Sequence, residues 1–225
     1  MNAIVIMAKA PIPNEVKTRL VPPLDPETAS ELYKNFLLDK IEQTRSIVGA
    51  HLFLAYTPET AETAFKDIVP QEFTLIRQVG ADLGKRLANI SGNLFHQGFK
   101  KVVLLDSDTP NLPSRLIREA LQRLDAFDVV IGPCEDGGYY LIGLRSSMPK
   151  LFRNIPWSTS EVVELTVRKV VKKGTTVSLL NKWYDVDTVK DLVRLKRDLE
   201  SRPHIGSFCK NSYLALSKVN VEKYF

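Results

Sequence analysis

The sequence is poor in the residues that build disulfide frameworks and metal clusters. Two cysteines, Cys134 and Cys209, and three histidines, His51, His96 and His204, are scattered through 225 residues. They share no ligand spacing, which excludes a disulfide scaffold and argues against a zinc site. No stretch approaches ~18 uninterrupted apolar residues, so no membrane span is expected. The opening run Met1 to Ala8 lacks the basic region and long apolar core of a secretion signal, and Pro11 and Pro13 end it at once. A cytoplasmic, reduced protein is the expectation. A large excess of one charge is lacking as well, since 31 basic residues face 26 acidic ones for a net +5. The densest basic runs, Arg168-Lys169 with Lys172-Lys173 and Arg194 to Arg197, read as solvated helix faces. Mild basicity suits a phosphate-bearing ligand but falls far short of a nucleic-acid footprint, so no nucleic-acid partner is expected.

What is present is enough apolar residue, 44%, to bury a core in one domain. Ile4 to Ala8 is a short continuous apolar run, as in a strand covered on both faces. Helical spacing of Ala29, Leu32, Phe36, Leu37 and Ile41 predicts a helix over 26–47. Further strands are expected at 51–56, 73–77, 101–105, 128–131, 139–144 and 175–179. Helices are expected at 58–65, 83–96, 112–124, 158–172 and 188–199. This alternation specifies an α/β protein, a three-layer α/β/α sandwich on a mostly parallel, Rossmann-like sheet. Gly132 to Gly138 is too short for a crossover helix, which leaves room for an antiparallel pairing between the strands it joins. Residues 1–200 form the domain, and 201–225 are a less periodic C-terminal extension, either packed on the body or a tail.

Unusual polar clusters follow the apolar strands, where open α/β sheets keep their chemistry. Val102 to Leu105 runs into Asp106-Ser107-Asp108-Thr109-Pro110. Its two carboxylates could share one hard cation such as Mg²⁺ or Mn²⁺, or the segment is an acidic turn capping the next helix. The loop after the first strand holds Lys9, Lys17 and Arg19, cations suited to phosphate oxygens; without glycines or a Gly-Lys-Ser/Thr end it is not a P-loop. Asp136-Gly137-Gly138-Tyr139 admits either close ligand approach to the backbone or a simple hairpin turn. Asp185-Val186-Asp187-Thr188 supplies either a second acidic pole of a metal site or a helix cap. Trp157 lies beside a ligand or in the core.

Five motifs in order, Ala8-Lys9-Ala10-Pro11 through Lys17-Thr18-Arg19-Leu20, Asp82-Leu83-Gly84-Lys85-Arg86, Asp108-Thr109-Pro110, Gly132-Pro133 with Asp136-Gly137-Gly138-Tyr139-Tyr140, and Asp185-Val186-Asp187-Thr188, span about residues 4–198. They resemble an uncharacterised, glycosyltransferase-like family of the nucleotide-diphospho-sugar transferase (GT-A) fold, related to the molybdenum-cofactor and phospholactate guanylyltransferases. The resemblance implies transfer from a nucleotide sugar to a small-molecule acceptor, or nucleotidyl transfer from a nucleoside triphosphate. A divalent cation, Mg²⁺ or Mn²⁺, would be held by Asp108 and Asp187. Asp108, Lys17 and Arg19 match the catalytic positions. Lys9, Lys17, Arg19, Asp136, Gly137, Gly138, Tyr139 and Trp157 are the candidate nucleotide- or substrate-binding residues. Asn14 and Asp106 stand where the family commonly has glycine, so a non-catalytic nucleotide-binding protein is a third reading. A homodimer is left open.

Overall fold

Burial on both sides of the first strand sorts its side chains into two cores. In β1 (Asn2–Lys9), Ile4 and Ile6 join one apolar cluster while Ala3 and Val5 join the other. The computed structural model describes residues 1–172, 174–201 and 209–220. In chain order the further elements are α1 (Pro26–Arg45), β2 (Ala50–Thr57), α2 (Glu62–Lys66), β3 (Phe73–Arg77), α3 (Leu83–His96), β4 (Lys101–Leu105) and α4 (Ser114–Arg123). Then come β5 (Val129–Pro133), β6 (Tyr139–Leu144), α5 (Val162–Lys172), β7 (Val177–Leu179), α6 (Val189–Ser201) and α7 (Lys210–Leu216).

The seven strands form one sheet in the order β3-β2-β1-β4-β6-β5-β7. All neighbours are parallel except β6, which runs antiparallel to both β4 and β5. The tight connection from Gly132 to Gly138 enforces that reversal, because two parallel strands need a longer crossover. Helices α1, α2 and α4 bury Leu37, Ile41, Phe65, Leu116 and Ile117 against one face. On the other face α3 and α5 contribute Leu87, Ile90, Leu94 and Val170. The result is the expected three-layer sandwich.

A third cluster lies outside α1, where Leu32 and Phe36 meet Leu192, Leu195 and Leu199 of α6 and Cys209 and Leu216 around α7. Helix α1 is therefore packed on two sides. Asp39, near the middle of α1, accepts the backbone N–H groups of Asn211 (3.0 Å) and Ser212 (2.7 Å) at the start of α7. Residues 202–208 and 221–225 of the C-terminal extension lie outside the described residues. Both cysteines are free and buried, and no helix among the described residues is long and apolar enough to cross a membrane.

Several element ends shift by a few residues from the sequence-based expectation, and two of the shifts have a local reason. Helix α5 starts at Val162 rather than 158 because Ser158 sits at φ 65 and the backbone of Ser160 packs against Gly137. The segment expected as a helix over 58–65 begins as a 3-10 turn, Glu59–Ala61, before α2.

Candidate active site

Because β1, β4, β5 and β7 point the same way, the segments that follow them all emerge at one edge of the sheet. Loop 10–17 turns twice through left-handed backbone, at Asn14 (φ 66) and Lys17 (φ 48). Asparagine tolerates that region, so Asn14 keeps a turn for which glycine is the usual residue. The second turn sends the Lys17 side chain down against the sheet edge, where it is only 3% exposed. There its ammonium donates to Asp108 Oδ1 and, at 2.8 Å, to Asp187 Oδ1. Arg19, largely exposed, reaches Asp187 Oδ2 at 3.5 Å. Burial works against the charge on Lys17, but the two carboxylates more than offset it and hold its pKa above the ordinary lysine value. Burial likewise pushes Asp187 up, and the ammonium of Lys17 with Arg19 and Lys9 beyond it brings the carboxyl below its ordinary value.

Neither aspartate is a helix cap. At the start of α6, Asp191 Oδ2 accepts the Thr188 N–H and hydroxyl, both at 2.7 Å, and the Asp187 N–H at 3.2 Å. With Asp191 holding the end of the helix, the Asp187 carboxylate is free for Lys17. Helix α4 starts at Ser114 behind Pro113, with no side-chain cap, so Asp108 is also released. Asp106 turns away from Lys17: its Oδ1 accepts the Thr109 hydroxyl at 2.6 Å and faces the ammonium of Lys40 at 3.6 Å. Burial pushes the Asp106 carboxyl up to about 6, with Lys40 pulling against it and Asp108 adding to it. Lys40, fully buried in α1, was not singled out by sequence reasoning.

A cleft of about 580 Å³ opens over this edge, lined by Lys9, Lys17, Arg19 and Arg86, by Asp106, Asp108 and Asp187, and by Tyr33, Gln78, Ser107, Leu83 and Tyr139 among others. Sequence reasoning placed Arg86 inside a motif but gave it no role; its Nε donates to Gly80 O at 3.1 Å, which fixes the guanidinium at the cleft wall. Tyr139 presents a ring to the cleft while its hydroxyl is buried without a hydrogen-bond partner. Trp157 lies behind it, edge-on at 6.2 Å, and packs over Gly84, where an added Cβ would come within 2.7 Å of the indole nitrogen.

Asp136, Gly137 and Gly138 are not among the residues lining that cleft. Asp136 Oδ1 accepts the Gly138 N–H at 2.8 Å in a local turn. Gly137, at φ 94, lies so close to Ser160 that any Cβ would overlap its backbone carbonyl. The glycine here admits a neighbouring segment of the chain itself. Asp136 gathers instead with Cys134 and Asp185, one ligand atom of each within 4.8 Å of the others. Burial, then the charges of Asp136 and Asp187, push the Asp185 carboxyl up to about 7.

As a donor set, Asp108 and Asp187 offer carboxylate oxygens that meet at one point from two different loops. This is the chemistry of a hard divalent cation rather than a soft one. In the structure that point is held by the Lys17 ammonium.

Comparison with known proteins gives the arrangement a family. No curated protein matches the sequence. The family model described as "Uncharacterized protein conserved in bacteria (DUF2064)" matches residues 40–159. A crystal structure of a protein named "putative nucleotide-diphospho-sugar transferase", from Desulfovibrio desulfuricans G20, superposes with a TM-score of 0.91 at 34% identity, over 99% of this chain and 97% of that one. The 4-diphosphocytidyl-2C-methyl-D-erythritol synthase of Anaerococcus prevotii DSM 20548 shares the fold at a TM-score of 0.60 and 13% identity, over 88% of this chain and 96% of that one. CMP:2-keto-3-deoxy-manno-octonic acid synthetase, solved with CTP, does so at 0.57 and 15%, over 89% and 98%. With a family model over more than half of its length and a relative aligned over nearly all of it, the chain belongs to the DUF2064 family and carries the nucleotide-diphospho-sugar transferase fold.

Proposed function

We propose that this chain is a transferase that uses a nucleotide-activated sugar, with a divalent cation, Mg²⁺ or Mn²⁺, held by Asp108 and Asp187. The observation that carries the reading is the convergence of Asp108 and Asp187 on one point, inside a cleft whose walls hold Lys9, Arg19 and Arg86. When bound, the cation supplies positive charge to a diphosphate leaving group. Arg19 and Arg86 offer planar guanidinium forks to phosphate oxygens, and Lys9 a point charge. Fixed donors of this kind stabilise charge that grows on the leaving phosphate as the bond to the sugar breaks. The ring of Tyr139, backed edge-on by Trp157, gives the cleft an apolar face for a sugar or a small-molecule acceptor.

The test is a panel of nucleotide sugars with Mn²⁺ or Mg²⁺, read as binding and as release of nucleoside diphosphate. A folded protein that neither binds nor hydrolyses any of them ends the reading. A second reading, nucleotidyl transfer from a nucleoside triphosphate to a phosphorylated acceptor, is favoured by the number of cations in the cleft, since Lys9, Lys17, Arg19 and Arg86 all line it. Pyrophosphate released from one of the four ribonucleoside triphosphates, with a phospho-acceptor and without any nucleotide sugar, would select it.

A further inference from the structure

We infer that Lys17 is a displaceable counter-ion, which makes cation binding at Asp108 and Asp187 depend on the phosphates of the nucleotide. The inference rests on the proposed assignment of those two carboxylates to the cation. The Lys17 ammonium donates to one oxygen of each, so it stands where a shared cation would stand. Two positive charges cannot occupy that point together; the ammonium and the metal compete for the same oxygens.

The competition is built into the loop. Lys17 is 3% exposed, against 66% for Arg19, and among the described residues its ammonium donates to the two carboxylates alone. The rings of Tyr33 and Phe36 flank the ammonium at 5.9 and 6.0 Å. Its backbone is held at φ 48 and ψ 36, a region open to glycine that most L residues other than asparagine and aspartate avoid. An ammonium driven off the carboxylates in this setting would be left buried and unpaired, a costly state. A phosphate in the cleft removes that cost by offering new acceptors. Metal and nucleotide then favour each other through Lys17, and linkage makes the effect reciprocal.

Manganese binding, followed by the paramagnetic resonance signal of free Mn²⁺, tests this on the full chain. The titrations use wild type and Lys17→Met, each alone and with UDP, GDP, CDP or ADP, with Mn²⁺ held by free nucleotide measured separately. Wild type should bind Mn²⁺ weakly alone and about tenfold or more tightly with the effective diphosphate, a typical coupling. Lys17→Met should bind Mn²⁺ alone more tightly than wild type by a similar factor, and the diphosphate should then add little. Mn²⁺ affinity in Lys17→Met no greater than in wild type, yet abolished by adding Asp108→Asn, overturns the counter-ion role and leaves the site assignment standing. Affinity indifferent to Asp108→Asn overturns both. If Lys17→Met does not fold, as judged by thermal unfolding, Lys17→Gln replaces it under the same criteria.

Discussion

Lys40 donates to the Thr109 hydroxyl at 2.6 Å from the buried interior of α1, and the same hydroxyl donates in turn to Asp106 Oδ1 at 2.6 Å. This chain anchors the loop that carries Asp108 to the helix beneath it. Burial lowers the pKa of Lys40, with Asp106 the main opposing charge. Removing the ammonium leaves a buried carboxylate without its cation. Lys40→Met should cost about 3–5 kcal/mol in urea unfolding. The double variant with Asp106→Asn should recover a substantial part of the loss. Additive losses would show that the two groups do not interact.

Asp108→Asn or Asp187→Asn should lower turnover of the active nucleotide sugar by about 10² to 10³, the usual effect of removing one preorganised electrostatic contact. Steady-state release of nucleoside diphosphate measures it. Rates within a factor of a few of wild type would remove these carboxylates from the chemistry.

Arg86→Ala should weaken nucleotide binding while leaving the unfolding midpoint nearly unchanged. Among the described residues its side chain is anchored by the bond from Nε to the Gly80 carbonyl. Calorimetry with the effective nucleotide, beside a melting curve, separates the two effects.

Gly137→Ala should be among the most damaging small substitutions. It places a methyl group into the Ser160 carbonyl and demands φ 94 of an L residue. The combined cost is about 2–4 kcal/mol, read by chemical denaturation. Gly98→Ala, at φ 92 but with open space around its Cβ position, is the control that carries the backbone cost alone.

The Asp128 carboxyl gives a pH signature. It accepts the Thr176 N–H at 2.9 Å and hydroxyl at 2.8 Å, and Arg145 at 2.8 Å. The Thr176 bonds, with Arg145 behind them, hold its pKa below the ordinary 3.8. A depressed folded-state value means that the contribution is fully present above 3.8 and fades as pH falls through the lower value. Wild type should therefore melt above Asp128→Asn at pH 7, and the gap should close in acid. A gap that is constant down to pH 2 would contradict this.

The sandwich, the strand order's parallel bias and the polar loops at one edge were legible because apolar runs and turn residues mark them locally. Lys17, Asp108 and Asp187 stood out for the same reason, each lying just past a strand. The pairing of Lys40 with Asp106 was not legible. Asp39-Lys40 lies mid-helix with nothing local to mark it, and its burial comes from distant partners, Asn211 and Ser212 for Asp39, Thr109 and Asp106 for Lys40. Gly137 was read as access for a ligand or as a hairpin residue; the demand comes from Ser160, in a segment far along the chain. Arg86 sits on an amphipathic helix where one arginine looks like any other. What composition and spacing miss here are contacts between layers.

The carbonyl of Pro110, two residues past Asp108, accepts both the Gln43 amide and, at 3.0 Å, the Cys209 thiol. That shared acceptor ties the last described helix to the loop that presents the cleft's acids. On the ribosome, every strand of the sheet emerges before Cys209 does. A nascent chain can thus complete its sheet while Asp39 still lacks the α7 amides and Pro110 lacks the thiol. The acids of the cleft therefore gain this last support only when synthesis has passed Cys209 and the helix behind it.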